Sequence, residues 1–151
     1  MDIEQRIAAL GITLPETPQP LANYVTAVQT GKLVFVSGHT STKPGRAVTG
    51  KLGAGVTIEA GYAAAKSVAI DIIATLKAHV GDLDRVTRVV KLTGMIGGTA
   101  DFTDQPKVMN GASDLFVEVF GERGKHARAA VGMASLPGDA AVEIEGIFEV
   151  S

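Results

Sequence analysis

From Val142 to Val150 the chain alternates almost without exception. Val142, Ile144, Phe148 and Val150 fall on one side, and Glu143, Glu145 and Glu149 on the other. A period of two is the mark of an extended strand with one face buried and one wetted, and no helix can present these residues that way. Such a strand cannot stand alone. The preceding run, Ala127-Arg128-Ala129-Ala130-Val131-Gly132-Met133, also suits a strand, and Leu136-Pro137-Gly138-Asp139 lies between the two. Pro presets φ for a turn and Gly tolerates positive φ, so the spacing predicts a β-hairpin.

With Pro137 and Gly138 as the loop, Leu136 pairs with Asp139, Gly132 with Glu143, Ala130 with Glu145 and Arg128 with Ile147. That register puts Arg128 on one face with both glutamates, over a floor kept shallow by Ala130 and Gly132. A slip of one residue would undo the arrangement. Two readings of the face stand side by side: a solvated charged surface, or a floor for a small anion.

The length of 151 residues predicts a single domain able to bury a core, and 46% apolar with 20% charged residues is ordinary for a folded soluble protein. No apolar run approaches the ~20 residues of a membrane span, and Met1-Asp2-Ile3-Glu4 lacks the basic start and apolar centre of a signal peptide. A cytoplasmic, membrane-free protein is expected. With no cysteine there is no disulfide, thiolate nucleophile or cysteine-based metal site. A net charge of −2, five Phe, two Tyr and no Trp supply neither a basic patch nor a base-stacking platform, so no nucleic-acid partner is expected.

Taken in order, Asp2 to Leu10 spaces Ile3, Ile7 and Leu10 as a short helix closed by Gly11, and Pro15, Pro18 and Pro20 make an extended connector. Residues 1–20 form this helix and connector, and 21–151 the single domain. Tyr24–Gln29 and Lys32–Ser37 read as a hairpin around Thr30-Gly31. The glycine-rich run Gly38–Gly55 reads as a flexible surface or lid loop. Within it Gly45, Gly50 and Lys51 fit G-x-x-x-x-G-K, but Leu52 stands where a magnesium-binding hydroxyl is needed, which argues against a phosphate loop. Thr57–Val80 is the strongest helix, ended by Gly81; Arg85–Ile96 is a strand; and a second amphipathic helix starts with Asp104 as cap and Pro106 in its first turn, running to Phe120. The order β-β-α-β-α-β-β leaves two helices for one face of a sheet, and the opposite face for water or another subunit.

The histidines, His39, His79 and His126, are too scattered for a metal site. His79 suits a helix C-terminus, whereas His126 is placed on the face of Arg128 and more in solvent than at a ligand. Arg128 can offer a bidentate fork to a carboxylate, and Glu143, if near, can act as general base on a water. An Arg–Glu pair that merely joins strands or subunits fits the same residues.

Arg128 followed by Leu136-Pro137 and Val142-Glu143-Ile144-Glu145-Gly146-Ile147, with the earlier Tyr24-Val25 and Val36-Ser37-Gly38, resembles the RidA/YjgF/YER057c/UK114 family from about Leu21 to Val150. The N-terminal helix and long glycine-rich loop resemble its divergent YjgF-like, L-PSP endoribonuclease-like branch. The resemblance implies an α+β, chorismate mutase-like fold, a homotrimer with ligand clefts between subunits, and cofactor-free hydrolysis of reactive 2-imino acids and their enamines to 2-keto acids and ammonia. It also implies that Arg128 holds the substrate carboxylate, that Glu143 orients the attacking water, and that Tyr24, Ser37, Gly38 and, with a one-residue gap difference, Asn110 line the cleft. Ala130 takes the place of the cysteine common in the family, leaving only backbone contacts there. Two other roles are compatible with the resemblance: a non-catalytic module that binds a small carboxylate metabolite or protects proteins, and an endoribonuclease, against which the acidic charge counts.

Overall fold

In the computed structural model, which describes residues 1–17 and 22–151, the alternating segment forms strand β7 (Val142–Val150). Its apolar residues are buried as the pattern requires. It lies between β2 (Leu33–Thr40) and β5 (Val86–Gly97), antiparallel to both, and β1 (Ala27–Thr30) extends the sheet beyond β2. β1 and β2 form the expected first hairpin, with Gly31 at φ 58° in its turn. The last strand pair differs from expectation. β6 (Ala127–Met133) runs parallel to β5 on the side away from β7, giving the order β1-β2-β7-β5-β6.

The predicted C-terminal hairpin is therefore absent, because β5 occupies the place between its two arms. Strands separated by a third are roughly 10 Å apart, farther than a two-residue turn can reach. The chain instead bends around the end of β5. The Gly98 amide donates to the Met133 carbonyl (3.2 Å) and the Gly97 amide to the Ala141 carbonyl (2.9 Å), while Pro137–Asp139 folds into a 3₁₀ turn. None of the pairs counted outward from that hairpin forms. Arg128 pairs with Leu92, and Glu143 with Met95 and Thr40.

Helix α2 (Ile58–Val80) starts at Thr57, whose hydroxyl accepts from the Ala60 amide (3.1 Å), and Gly81 closes it at φ 81°. Helix α3 (Gln105–Phe120) has Pro106 in its first turn, but the Asp104 carboxylate caps no amide and lies 3.6 Å from Lys107 Nζ instead. Both helices cover one face. Ala65, Ala69, Ile72 and Leu76 of α2 join Met109, Ala112 and Phe116 of α3 against Val34, Leu92, Ile96, Ile144 and Phe148, and each large side chain so buried contributes roughly 1.5–3 kcal/mol. Gly111 sets the helix spacing, since a Cβ there would lie 2.0 Å from the Tyr62 carbonyl oxygen. Helix α1 (Ile3–Ala9), held by a capping box between Asp2 and Gln5, adds Ile3 and Ile7 to the core. The boundary set after residue 20, with Pro18 and Pro20, falls outside the described residues.

The run after β2 is fastened at several points rather than loose. The buried Asp71 carboxylate of α2 takes Lys43 (3.0 Å) and Arg46, Ser41 Oγ accepts the amides of Ala141 (3.1 Å) and Val142 (3.2 Å), and β3 (Lys51–Leu52) pairs with β4 (Gly55–Val56). Lys51 Nζ donates to the Ala134 carbonyl, so it serves the loop between β6 and β7 and no phosphate cradle. No helix of the described residues is long and apolar enough to cross a membrane.

Candidate functional site

The β2–β7 ladder pairs Val36 with Gly146 and His39 with Ile144, so Ser37 and Gly38 together oppose Glu145 in a β-bulge. The Ser37 amide donates to the Thr26 carbonyl (2.9 Å) and its hydroxyl to the Val25 carbonyl (2.7 Å), tying the bulge to the segment that carries Tyr24. Beneath it, His39 is buried. Its Nδ1 lies 2.6 Å from the Ser37 carbonyl, which can only accept, so Nδ1 carries the proton and Nε2 accepts from the Thr75 hydroxyl (2.8 Å). Burial lowers the His39 pKa against the opposing pull of the Ser37 carbonyl.

Glu143 lies against this bulge. A Cβ on Gly38 would come within 3.2 Å of Glu143 Cδ, so the glycine makes room for the carboxyl group. Desolvation, and then the charge of Glu145 on the same face, raise the Glu143 pKa, which makes its carboxylate a stronger base than a free one. Tyr24 (52% exposed), Ser37, Gly38 and Glu143 share a cavity of about 460 Å³ with Thr42 and Pro137. The structure thus gathers four of the residues singled out in the sequence.

Arg128, Asn110 and Ala130 belong to a different place. Register settles the face: Arg128 stands beside Leu92 and hence Gly146, while Glu143 stands beside Met95 and hence Val131. Neighbouring residues of a strand point to opposite sides, so Arg128 is on the helix face and Glu143 on the open one. The expected common face of Arg128, Glu143 and Glu145 is not formed. Arg128 instead reaches α3, where Nη1 donates to Ser113 Oγ (3.0 Å). Asn110 sits exposed one turn before Ser113, and Ala130 pairs with Gly94.

His126 is half-buried rather than solvated; it precedes β6 and turns to the side of Arg128, since both reach Ser113. Its Nε2 lies 2.8 Å from Ser113 Oγ and its Nδ1 2.7 Å from the Gly124 carbonyl. Burial, assisted by the Arg128 cation, lowers its pKa against the opposing pull of the Gly124 carbonyl. Sequence reasoning missed Ser113, which stands on α3 one turn after Asn110. His79 stands at the end of α2 as expected, with Nε2 2.9 Å from Gln29 Oε1. Among the described residues no three His, Asp or Glu side chains gather as a metal-ligand set.

Residues 4–144 match the family described as "YjgF/chorismate mutase-like, putative endoribonuclease". Protein TCP17 of Trypanosoma cruzi is 46% identical over 152 residues, covering 97% of this chain and 95% of that one. The 2-iminobutanoate/2-iminopropanoate deaminase of Dermatophagoides farinae is 30% identical over 142 residues, covering 92% of this chain and 94% of its own. A crystal structure of a "putative endoribonuclease" from Shewanella oneidensis superposes with a TM-score of 0.94 at 32% identity and covers 99% of this chain and 100% of that one.

Proposed function

The chain belongs to the YjgF/chorismate mutase-like family, and from that premise we propose that it is a cytoplasmic, cofactor-free hydrolase of reactive 2-imino acids and their enamine tautomers, yielding 2-keto acids and ammonia. The observation that carries this reading is the seat of Glu143: a half-buried carboxylate of raised pKa, held against a glycine bulge in a cavity lined also by Tyr24, Ser37 and Thr42. The relative named as an iminobutanoate deaminase supports the substrate class.

An iminium carbon is already electrophilic, so the protein has to position rather than activate it. Arg128 pairs with the substrate carboxylate through its fork, and Asn110 and the Ala130 backbone line the same side. Glu143 takes a proton from water as the oxygen bonds to the imine carbon. The proton then passes to the nitrogen, and as the C–N bond breaks Glu143 accepts the hydroxyl proton, so that ammonia leaves and the carbonyl remains. Because Arg128 and Glu143 face opposite ways in one copy, the complete site is formed between copies, in a homotrimer. Exposed Val28, Phe35 and Val131, and the unpaired outer edge of β6, support such an assembly.

The test generates 2-imino acids in situ with an amino-acid oxidase in the presence of semicarbazide as a competing trap. Wild type should divert imine from the trap and Arg128→Ala should not; failure of wild type to do so across several imino acids removes the catalytic reading. Ala130 favours one second reading, a non-catalytic carboxylate binder, because it supplies no thiol where the family commonly has one. That reading predicts 2-oxobutanoate binding without any turnover.

A further inference from the structure

On the edge strand, Arg128 has Ala127, Ala129 and Ala130 as neighbours, none large enough to fix a long side chain. It is held from elsewhere. Hydrogen-bond logic gives each proton one place. The Gly124 carbonyl can only accept, so His126 carries its proton on Nδ1 and presents a bare Nε2. Ser113 must then donate its single proton to His126 Nε2, which leaves its lone pairs to accept from Arg128 Nη1. The run from Arg128 to Ser113, His126 and the Gly124 carbonyl therefore has one direction throughout.

Its far end is rigid. A Cβ on Gly124 would lie 2.2 Å from the Phe116 carbonyl oxygen, and the His126 ring meets the Phe116 ring edge-on at 6.3 Å. The relay is thus set against the core through α3. We propose that Ser113 and His126 are positioning residues for Arg128, turning its guanidinium so that the remaining N–H groups meet a carboxylate ligand without a search among rotamers. This rests on Arg128 being the carboxylate anchor. A flexible arginine loses freedom when it binds, and one already oriented does not, so the relay acts on affinity.

Calorimetric titration with 2-oxobutanoate, a stable 2-keto acid, tests this on the full-length protein. Ser113→Ala and His126→Phe should each weaken binding about tenfold while melting temperature holds, and Ser113→Thr, which returns the hydroxyl, should restore it. In the imine assay the same variants should raise KM and leave kcat within about twofold, the signature of lost uniform binding. Should Arg128→Ala abolish binding while Ser113→Ala matches wild type, the relay is wrong and the anchor survives. Should Arg128→Ala bind as wild type does, the anchor reading falls and the relay with it. If His126→Phe does not fold, the Ser113→Ala and Ser113→Thr pair decides.

Discussion

Arg128 and Glu143 flank the same strand, β5, yet project from opposite faces of the sheet, because their partners Leu92 and Met95 differ in parity. Within one copy the two side chains therefore lie on different sides of the sheet. This parity also explains why neither residue has the other as a salt-bridge partner.

Complementation follows directly. Arg128→Ala and Glu143→Gln should each be inactive alone, and a mixture refolded together should recover activity that neither parent shows, because some interfaces then carry an intact arginine opposite an intact glutamate. Imine diversion from the semicarbazide trap reads the result. A mixture as inactive as its parents would place the whole site within one copy.

For Glu143 the pH dependence has a definite sign. Its pKa is raised by burial and by Glu145, so it favours the folded state at pH below the carboxylate range, and this contribution is lost as pH rises through its folded-state pKa. Glu143→Gln should consequently melt higher than wild type at neutral pH, with the two converging on acidification. The same variant should lower kcat by about 10²–10⁴-fold, the usual worth of a general base. A melting temperature unchanged at every pH would contradict the assignment.

Asp71 fastens the segment between β2 and β3 to α2 by holding Lys43 and Arg46. Asp71→Ala should cost about 1.5–3 kcal/mol, the range for hydrogen bonds to charged groups, since both cations can turn back to water. Trypsin should also cut after Arg46 faster than in wild type. Urea unfolding and a timed digest measure the two effects separately.

Two glycines should separate function from stability. Gly38→Ala meets only the Glu143 side chain, at 3.2 Å, so it should depress activity with little change in the urea midpoint. Gly111→Ala meets the Tyr62 backbone oxygen at 2.0 Å, which helices cannot yield without separating, so it should destabilise by roughly 3 kcal/mol, the upper end for overpacking. Equal effects of the two on unfolding would show that the bulge is not open toward the cavity.

The periodic elements were legible in the sequence. Val142–Val150, Thr57–Val80 and the helix after Asp104 each carry a pattern long enough to fix their type, and the two stripes predicted helices on one face. Strand order was not legible. Ala127–Met133 is too small and too uniform to declare a partner, and Leu136-Pro137-Gly138-Asp139 has good turn chemistry, so the local signal suggested a hairpin where a longer-range pairing with β5 prevails. That one topological error carried the Arg128 face with it. Glu143 was found from the alternation of its strand, and Tyr24, Ser37 and Gly38 through family resemblance, and the structure brings the four to one cavity; Ser113 was missed because a lone serine on a helix carries no pattern.

The central strand comes after every other strand in chain order. Up to Met133 the chain contains the strands of the β1–β2 and β5–β6 ladders of the main sheet, but not the strand that lies between them. Nothing earlier in the sequence fills that place, and β7 closes it from both sides at once. Until then β2 and β5 each offer a free edge of matched register, which the β7 of any other copy fits as well as its own. The stretch Ala134–Ala141 is the hinge across which such an exchange would occur, and its length and turns decide how faithfully each chain keeps its own last strand.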